Sequence, residues 1–169
     1  MGASDFKIRE FRRADFVRLW EIDQQCFPPG ISYSQEELLL YVRRPRSFTL
    51  VAERNRAGNG QGLESSPSQA VGFIVAEAGK TAGHIITIDV LDEARRSGLG
   101  SQLLGAAEER LRREGCSALF LETAVDNASA LAFYKRHQFF LVKTVPRYYA
   151  NGVDAFVLKK DLLSAVPSR

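Results

Sequence analysis

A chain of 169 residues carries enough apolar sequence for one hydrophobic core, and its 45% apolar and 25% charged residues are ordinary globular usage. A formal net charge of +3 is too small to argue for nucleic acid, although it favours a multiply anionic small ligand. Cys26 and Cys116 stand far apart without a C-x-x-C pattern, so neither a zinc site nor a disulfide framework is signalled; reduced thiols and no metal are expected.

The opening stretch holds Asp5, Lys7, Arg9, Glu10, Arg12, Arg13, Asp15 and Arg18, so no secretory leader is expected there, and no long apolar run follows. No membrane association and a cytoplasmic location are expected. A strand is predicted at 6–11, a helix at 14–25, and a second helix at 34–42 that opens on Ser34 with Glu37 three residues on, a capping box. Strands follow at 48–53, 70–78 and 84–90. Between the first two, residues 55–69 are rich in Gly, Ser and Asn and read as an extended mobile hairpin loop, not a domain linker. A helix is predicted at 102–114, a strand at 119–124, and then a helix capped by Asp126 or Asn127 with Ala130, Leu131 and Tyr134 at helical spacing. Strands near 141–145 and 155–160 end the chain. This order implies an α/β (α+β) architecture, a mixed sheet with helices on both faces, in one domain over 1–169 with its core about 6–163.

The stretch Arg95-Arg96-Ser97-Gly98-Leu99-Gly100-Ser101 sits where a strand ends and a helix begins. Unpaired N–H groups at a helix start form an anion cradle, glycines let the main chain approach a phosphate, and the arginines supply charge at the rim. A dinucleotide fingerprint fails because Leu103 stands at its third glycine, and a triphosphate loop at Gly79-Lys80-Thr81 fails because Ile74 stands at its first. What remains is R-x-x-G-x-G, with a pyrophosphate as the expected guest.

This pattern resembles the coenzyme A signature of the GNAT superfamily of acetyl-CoA-dependent N-acetyltransferases. The run from Leu121 through Glu122, Asp126 and Asn127 to Tyr134, then Gln138-Phe139, resembles the second half of that superfamily. The resemblance implies the GNAT fold, with a mostly antiparallel sheet of about seven strands, and acetyl-CoA as cosubstrate without a metal. It places Ile88 against the pantetheine arm, the Val90 N–H at the acetyl oxygen or oxyanion, Asn127 on pantetheine and Tyr134 at the thioester sulfur. In one place the chain departs from the family: Gln138 stands where glycine is usual, so a differently built helix end is expected there.

Glu122 lies in an otherwise apolar strand, where a buried carboxylate needs compensation or a wet face. Its spacing to Tyr134 is similar to that of the RimI-type ribosomal-protein alanine N-acetyltransferases, which implies the role of base. His84 is a second candidate base. Strict alternation along 84–90 puts it on the face of Ile86, Ile88 and Val90, and its position resembles that of a water-ordering tyrosine in Naa-type enzymes. His137, at the presumed helix end, is expected to help terminate that helix.

Two further segments resemble the acceptor loops of protein N-terminal acetyltransferases. Asp23 to Ser34 contains Phe27, Pro28 and Tyr33, which in that resemblance wall the first peptide residue, and Arg147 to Ala155 contains Tyr148 and Tyr149, which bond the peptide backbone. Asn151-Gly152 marks a turn after those tyrosines. An α-amine, with a pKa of about 7.7–8.0, is far easier to obtain neutral than lysine at about 10.4. A protein or peptide N-terminal α-amine is therefore the favoured acceptor. A small amine such as an amino acid, polyamine or antibiotic is the alternative acceptor, and a non-catalytic acyl-CoA-binding module the alternative from another class. The oligomeric state is not legible in the sequence.

Overall fold

A computed structural model describes residues 5–55 and 68–163. Its strands are β1 (Phe6–Glu10), β2 (Ser47–Arg54), β3 (Ala70–Ala78), β4 (Ala82–Val90), β5 (Ala118–Ala124), β6 (Phe140–Val145) and β7 (Ala155–Asp161), and its α-helices are α1 (Phe16–Cys26), α2 (Gln35–Arg43), α3 (Leu99–Arg113) and α4 (Ala128–Arg136). The strands form one seven-stranded sheet in the order β1-β2-β3-β4-β5-β7-β6, as the α/β reading expected. Every pairing is antiparallel except β4 with β5. Residues 56–67, the body of the expected mobile loop, lie outside the described residues.

Local chemistry sets the helix ends. Ser34 caps α2 as expected: its hydroxyl accepts from the Glu37 N–H at 3.1 Å while Glu37 accepts from the Ser34 N–H at 2.8 Å. Helix α3 begins at Leu99, earlier than the apolar periodicity indicated, because Gly98 takes φ +81 and turns the strand exit directly into the helix. Gly100 and Ser101 thus belong to its first turn. At the end of α4 the expected departure does not occur. Gln138 adopts the left-handed conformation at φ 69, with Gln138 N–H bonded to Lys135 O at 3.1 Å and Phe139 N–H to Tyr134 O at 3.0 Å. Both bonds of a Schellman cap are present, and the Tyr134 and Phe139 rings, 5.4 Å apart, supply its apolar contact and offset the strain.

Helix α3 lies against β2, β3 and β4 through buried Leu99, Leu103, Leu104, Ala107 and Leu111. Helix α1 covers β3 and β4 from the other face, with Leu19 and Ile22 buried. The entry to α1 is tied to β1 by a buried bidentate pair, Arg9 to Asp15, both bonds at 2.8 Å. Asp15 also accepts from the Arg12 N–H and the Ser68 hydroxyl. Burial pushes the Asp15 carboxyl up, but Arg9 and these donors hold it below its ordinary value overall. Its contribution is therefore present above the unfolded pKa of about 3.9 and is lost as pH falls through the lower folded value. Asp15→Ala is expected to cost about 3 kcal/mol at neutral pH, with the gap to the wild type closing in strong acid; urea denaturation across pH measures both.

The ladder between β3 and β4 contains a bulge. Phe73, Val75 and Glu77 face Asp89, Thr87 and His84, while Ile86 is passed over between Val75 and Ala76. Residues directly opposite share a face, so His84 lies with Thr87 and Asp89 on the α1 side, not with Ile88 and Val90 as unbroken alternation implied. Beyond His84↔Phe120 the pairing of β4 with β5 stops, although both strands continue. The sheet opens there into a wedge.

Candidate active site

Hydrogen-bond alternation tells which backbone groups face the wedge. Leu91 N–H bonds to Val71 O at 2.9 Å, which assigns the β3-facing bonds to Asp89 and Thr87 and turns the N–H and C=O of Ile88 and Val90 toward the gap. At the mouth, His84 Nε2 lies 2.6 Å from Glu122 Oε2. The side chains are 40% and 22% exposed, so both reach solvent. The sequence offered them as rival bases; the fold makes them one hydrogen-bonded pair. A neutral imidazole that donates Nε2–H to Glu122 presents Nδ1 as a proton acceptor.

Tyr134 is buried on α4, edge-on to Phe133 and Phe139. Burial first, then the neighbouring Asp89 and Tyr149, push its phenol above the ordinary value, so it remains a hydrogen-bond donor at neutral pH. Asn127 caps α4: its Oδ1 accepts from the Ala130 N–H at 3.1 Å, which leaves the amide NH₂ as the end available to a ligand.

The loop before α3 is partly as expected. A Cβ built on Gly98 meets nothing within 4 Å, so the space above it is open to a phosphate group, and the first N–H groups of α3 border it. Arg96 is exposed at the rim. Leu99 is buried and offers only its backbone, and the Ser97 hydroxyl is spent on Ala94 O at 2.6 Å. Arg95 departs from the expectation of a free rim cation. Its Nε donates to Val90 O at 2.9 Å and its Nη1 pairs with Asp92 at 2.8 Å, because the short turn after β4 brings the guanidinium back onto the strand end. The Ser101 hydroxyl lies 2.9 Å from His137 Nε2, and His137 is the C-cap of α4, as its position indicated.

The two acceptor-like segments, far apart in sequence, meet. Ala150 N–H bonds to Gly30 O at 3.1 Å, and Gly30, at φ +88, allows an approach that a Cβ would block by coming within 2.7 Å of Asn151 Cβ. Phe27 ends α1 and is half-buried, and Pro28 is exposed beside it. The Tyr33 hydroxyl donates to Ile86 O at 3.3 Å, the carbonyl of the residue passed over by the bulge. The Tyr148 and Tyr149 rings stand nearly perpendicular with centroids 4.9 Å apart. Burial raises both phenols; Glu122 adds to the rise at Tyr148, and Tyr148 and then Glu122 add to it at Tyr149. The turn runs Tyr149 to Gly152, closed by Gly152 N–H to Tyr149 O at 2.9 Å, with Gly152 at φ +85.

Sequence reading passed over three side chains here. Tyr41 stacks edge-on against Tyr33 at 5.3 Å, and Asp23 and Asp89 are buried, Asp23 accepting from the Tyr33 N–H. Asp89 carried the same signal as Glu122, an acid inside the apolar run Ile85-Ile86-Thr87-Ile88-Asp89-Val90. No helix among the described residues is long and apolar enough to cross a membrane.

An N-alpha-acetyltransferase of Saccharolobus solfataricus is 36% identical over 81 residues, 47% of this chain and 48% of its own. This chain spans about half the length of such curated N-alpha-acetyltransferases. An uncharacterized N-acetyltransferase of Methanocaldococcus jannaschii is 34% identical over 154 residues, 90% of each chain. Among solved structures, Ard1 from Thermoplasma volcanium matches with a TM-score of 0.80 at 27% identity, over 95% of this chain and 99% of that one. A chain of the NatC complex bound to Gag peptide and CoA matches with a TM-score of 0.76 at 25% identity, over 93% and 98%. The sequence model of the Acetyltransferase (GNAT) family matches residues 16–139, and this chain belongs to that family.

Proposed function

We propose that this chain is a single N-acetyltransferase domain that moves an acetyl group from acetyl-CoA to the α-amine of a protein or peptide N-terminus, by direct attack in a ternary complex. The observation that carries the acceptor assignment is the meeting of the Phe27–Tyr33 and Tyr148–Tyr149 segments through Gly30 and Ala150, in a chain whose β4–β5 gap carries the His84–Glu122 pair. Relatives named N-alpha-acetyltransferase, and a structural neighbour bound to a peptide and CoA, support the same reading.

The fit to the thioester rests on this chain's own groups. The open space above Gly98 and the N–H groups of α3 suit a pyrophosphate, with Arg96 at the rim. The gap-facing edge of β4, at the Ile88 backbone groups and the Val90 N–H, suits an amide-bearing arm laid beside it like an added strand, while Val90 O is held by Arg95. When bound, acetyl-CoA supplies the activated acyl carbon. Val90 N–H donates to its oxygen as negative charge develops there, Glu122 with His84 removes the amine proton directly or through water, and Tyr134 donates to the departing sulfur. A thiol has a pKa near 8.5, so a hydrogen bond from Tyr134 suffices. The cytoplasm, where acetyl-CoA is made available, is the compartment this chemistry fits.

A peptide carrying both a free N-terminus and an internal lysine tests the assignment: fragment mass spectrometry is expected to find the acetyl group on the α-amine. Acetylation confined to lysine contradicts it. Tyr148→Ala with Tyr149→Ala is expected to raise the peptide KM about tenfold or more, with little change in acetyl-CoA affinity. An equal fall in acetyl-CoA affinity makes those tyrosines structural.

A further inference from the structure

Beneath the acceptor loop, two carboxyl groups face each other out of water. Asp23 on α1 and Asp89 on β4 are 0% and 1% exposed. One oxygen of each is accounted for: Asp23 Oδ2 accepts from the Tyr33 N–H at 2.7 Å, and Asp89 Oδ1 from the Thr87 hydroxyl at 2.5 Å. The other two, Asp23 Oδ1 and Asp89 Oδ2, are buried without an N–H or O–H donor among the described residues. The end of α1 lies on the end of β4 here, Cys26 Sγ donating to Val90 O at 3.5 Å, and each carboxyl has the other as a hydrogen-bonding neighbour. Arg95, a cation acting on Asp89, gives its guanidinium to Val90 O and Asp92. Two ionised carboxylates in contact, buried and without a cation between them, repel strongly, whereas one proton between them turns the contact into a charge-assisted hydrogen bond.

We infer that Asp89 and Asp23 share one proton as a carboxylic acid–carboxylate pair, and that this pair is a positioning device that pins the acceptor loop at Tyr33 onto β4. The pair lies one residue from Ile88 and Val90, and its far end is the backbone of Tyr33, whose hydroxyl reaches Ile86 O. It therefore couples the strand that would hold the acyl group to the loop that would hold the amine; this functional half rests on the acetyl-transfer reading above. Burial is the main cause holding both carboxyls above their ordinary range, Asp89 further than Asp23. The titratable groups around them are Cys26 on α1, Tyr33 on the loop, Glu37 on α2, Arg95 after β4 and Tyr134 on α4. Among these described groups Arg95 is the one cation, and the acidic neighbours reinforce proton retention.

The sign of the pH dependence follows. The folded chain keeps a proton that an unfolded aspartic acid releases near pH 3.9, so this contribution to stability is complete below that value and declines as pH rises through the pair's own titration. Both carboxylates are then charged, and the Tyr33 anchor loosens. Asp89→Asn replaces the acid O–H by an amide N–H that needs no proton, and so keeps the bond at every pH.

Carbon-13 NMR of aspartate carboxyls, with amide exchange at Tyr33, tests the pair without any assay of turnover. One buried carboxyl is expected to remain protonated at neutral pH, and its signal to vanish in Asp89→Asn. Tyr33 N–H exchange is expected to stay slow in Asp89→Asn and to quicken about tenfold in Asp89→Ala. In peptide turnover, KM is expected to follow the same order, near the wild type in Asp89→Asn and about tenfold higher in Asp89→Ala, with the alkaline rise of KM absent from Asp89→Asn. If both carboxyls are ionised at neutral pH, or Asp89→Asn frees Tyr33 as Asp89→Ala does, the pair does not exist as described. If Asp89→Ala fails to fold, the carboxyl titration and Asp89→Asn still decide. A retained proton and protected Tyr33 in a chain that turns over no peptide would sink the acetyl-transfer reading and leave the pair standing.

Discussion

Glu122→Gln is expected to lower kcat by about 10²–10⁴ with the peptide acceptor, and part of that loss is expected to return as pH approaches the α-amine's own pKa of about 7.7–8.0. The substitution keeps the shape of the side chain and removes the proton acceptor. It also disturbs His84, because the 2.6 Å contact to Oε2 fixes the imidazole. His84→Ala is therefore expected to lower kcat in the same pH-dependent way, and the double variant to lose much less than the product of the two single losses, as for residues acting as a unit. Tyr134→Phe provides the contrast. In the proposed mechanism it removes a hydrogen bond to the sulfur and not a base, so its loss, similar or smaller, is not expected to recover at high pH. Near-full activity in both Glu122→Gln and His84→Ala would mean that the amine enters already neutral, with catalysis resting on positioning and the Val90 N–H.

Gly98→Val is expected to weaken acetyl-CoA binding by tenfold or more, about 1.4 kcal/mol per factor of ten, in a chain that still folds. Two effects act together. At φ +81 a β-branched residue is strained, which shifts the first turn of α3, and its side chain enters the open space above the loop. Gly100 differs, since a Cβ there meets the Phe133 ring at 3.3 Å, a contact that a side chain can yield to. Calorimetry on the two variants separates them: unchanged affinity in folded Gly98→Val removes the phosphate from this loop.

Much of this arrangement was legible in the sequence for identifiable reasons. The capping box at Ser34 and Glu37, the glycines at 98 and 100, and the apolar β4 run each act through local chemistry, which one chain displays directly. The bulge at Ile86 was not legible. It depends on how β3 registers against β4, and it moved His84 to the other face and freed the carbonyl that Tyr33 binds. Glu122 stood out as an acid in an apolar strand, but its partner did not, because 38 residues separate Glu122 from His84 and only the last rung of the β4–β5 ladder brings them together. Gln138 misled for a different reason. Propensity disfavours a left-handed glutamine, and the Tyr134–Phe139 contact overrode it. Arg95 looked like a free cation because its turn back onto Val90 O is a property of the loop's path, not of the residue.

The most direct measurement is thiol release from acetyl-CoA by the full chain against one panel: peptides varied at the first residue, the same peptides with a blocked N-terminus, polyamines and free amino acids. Release with free-N-terminal peptides, abolished by the block and weak with the small amines, is the expected result. Release with polyamines or amino acids but not with any peptide, or binding of acetyl-CoA with no release at all, would contradict the assignment of the α-amine as acceptor.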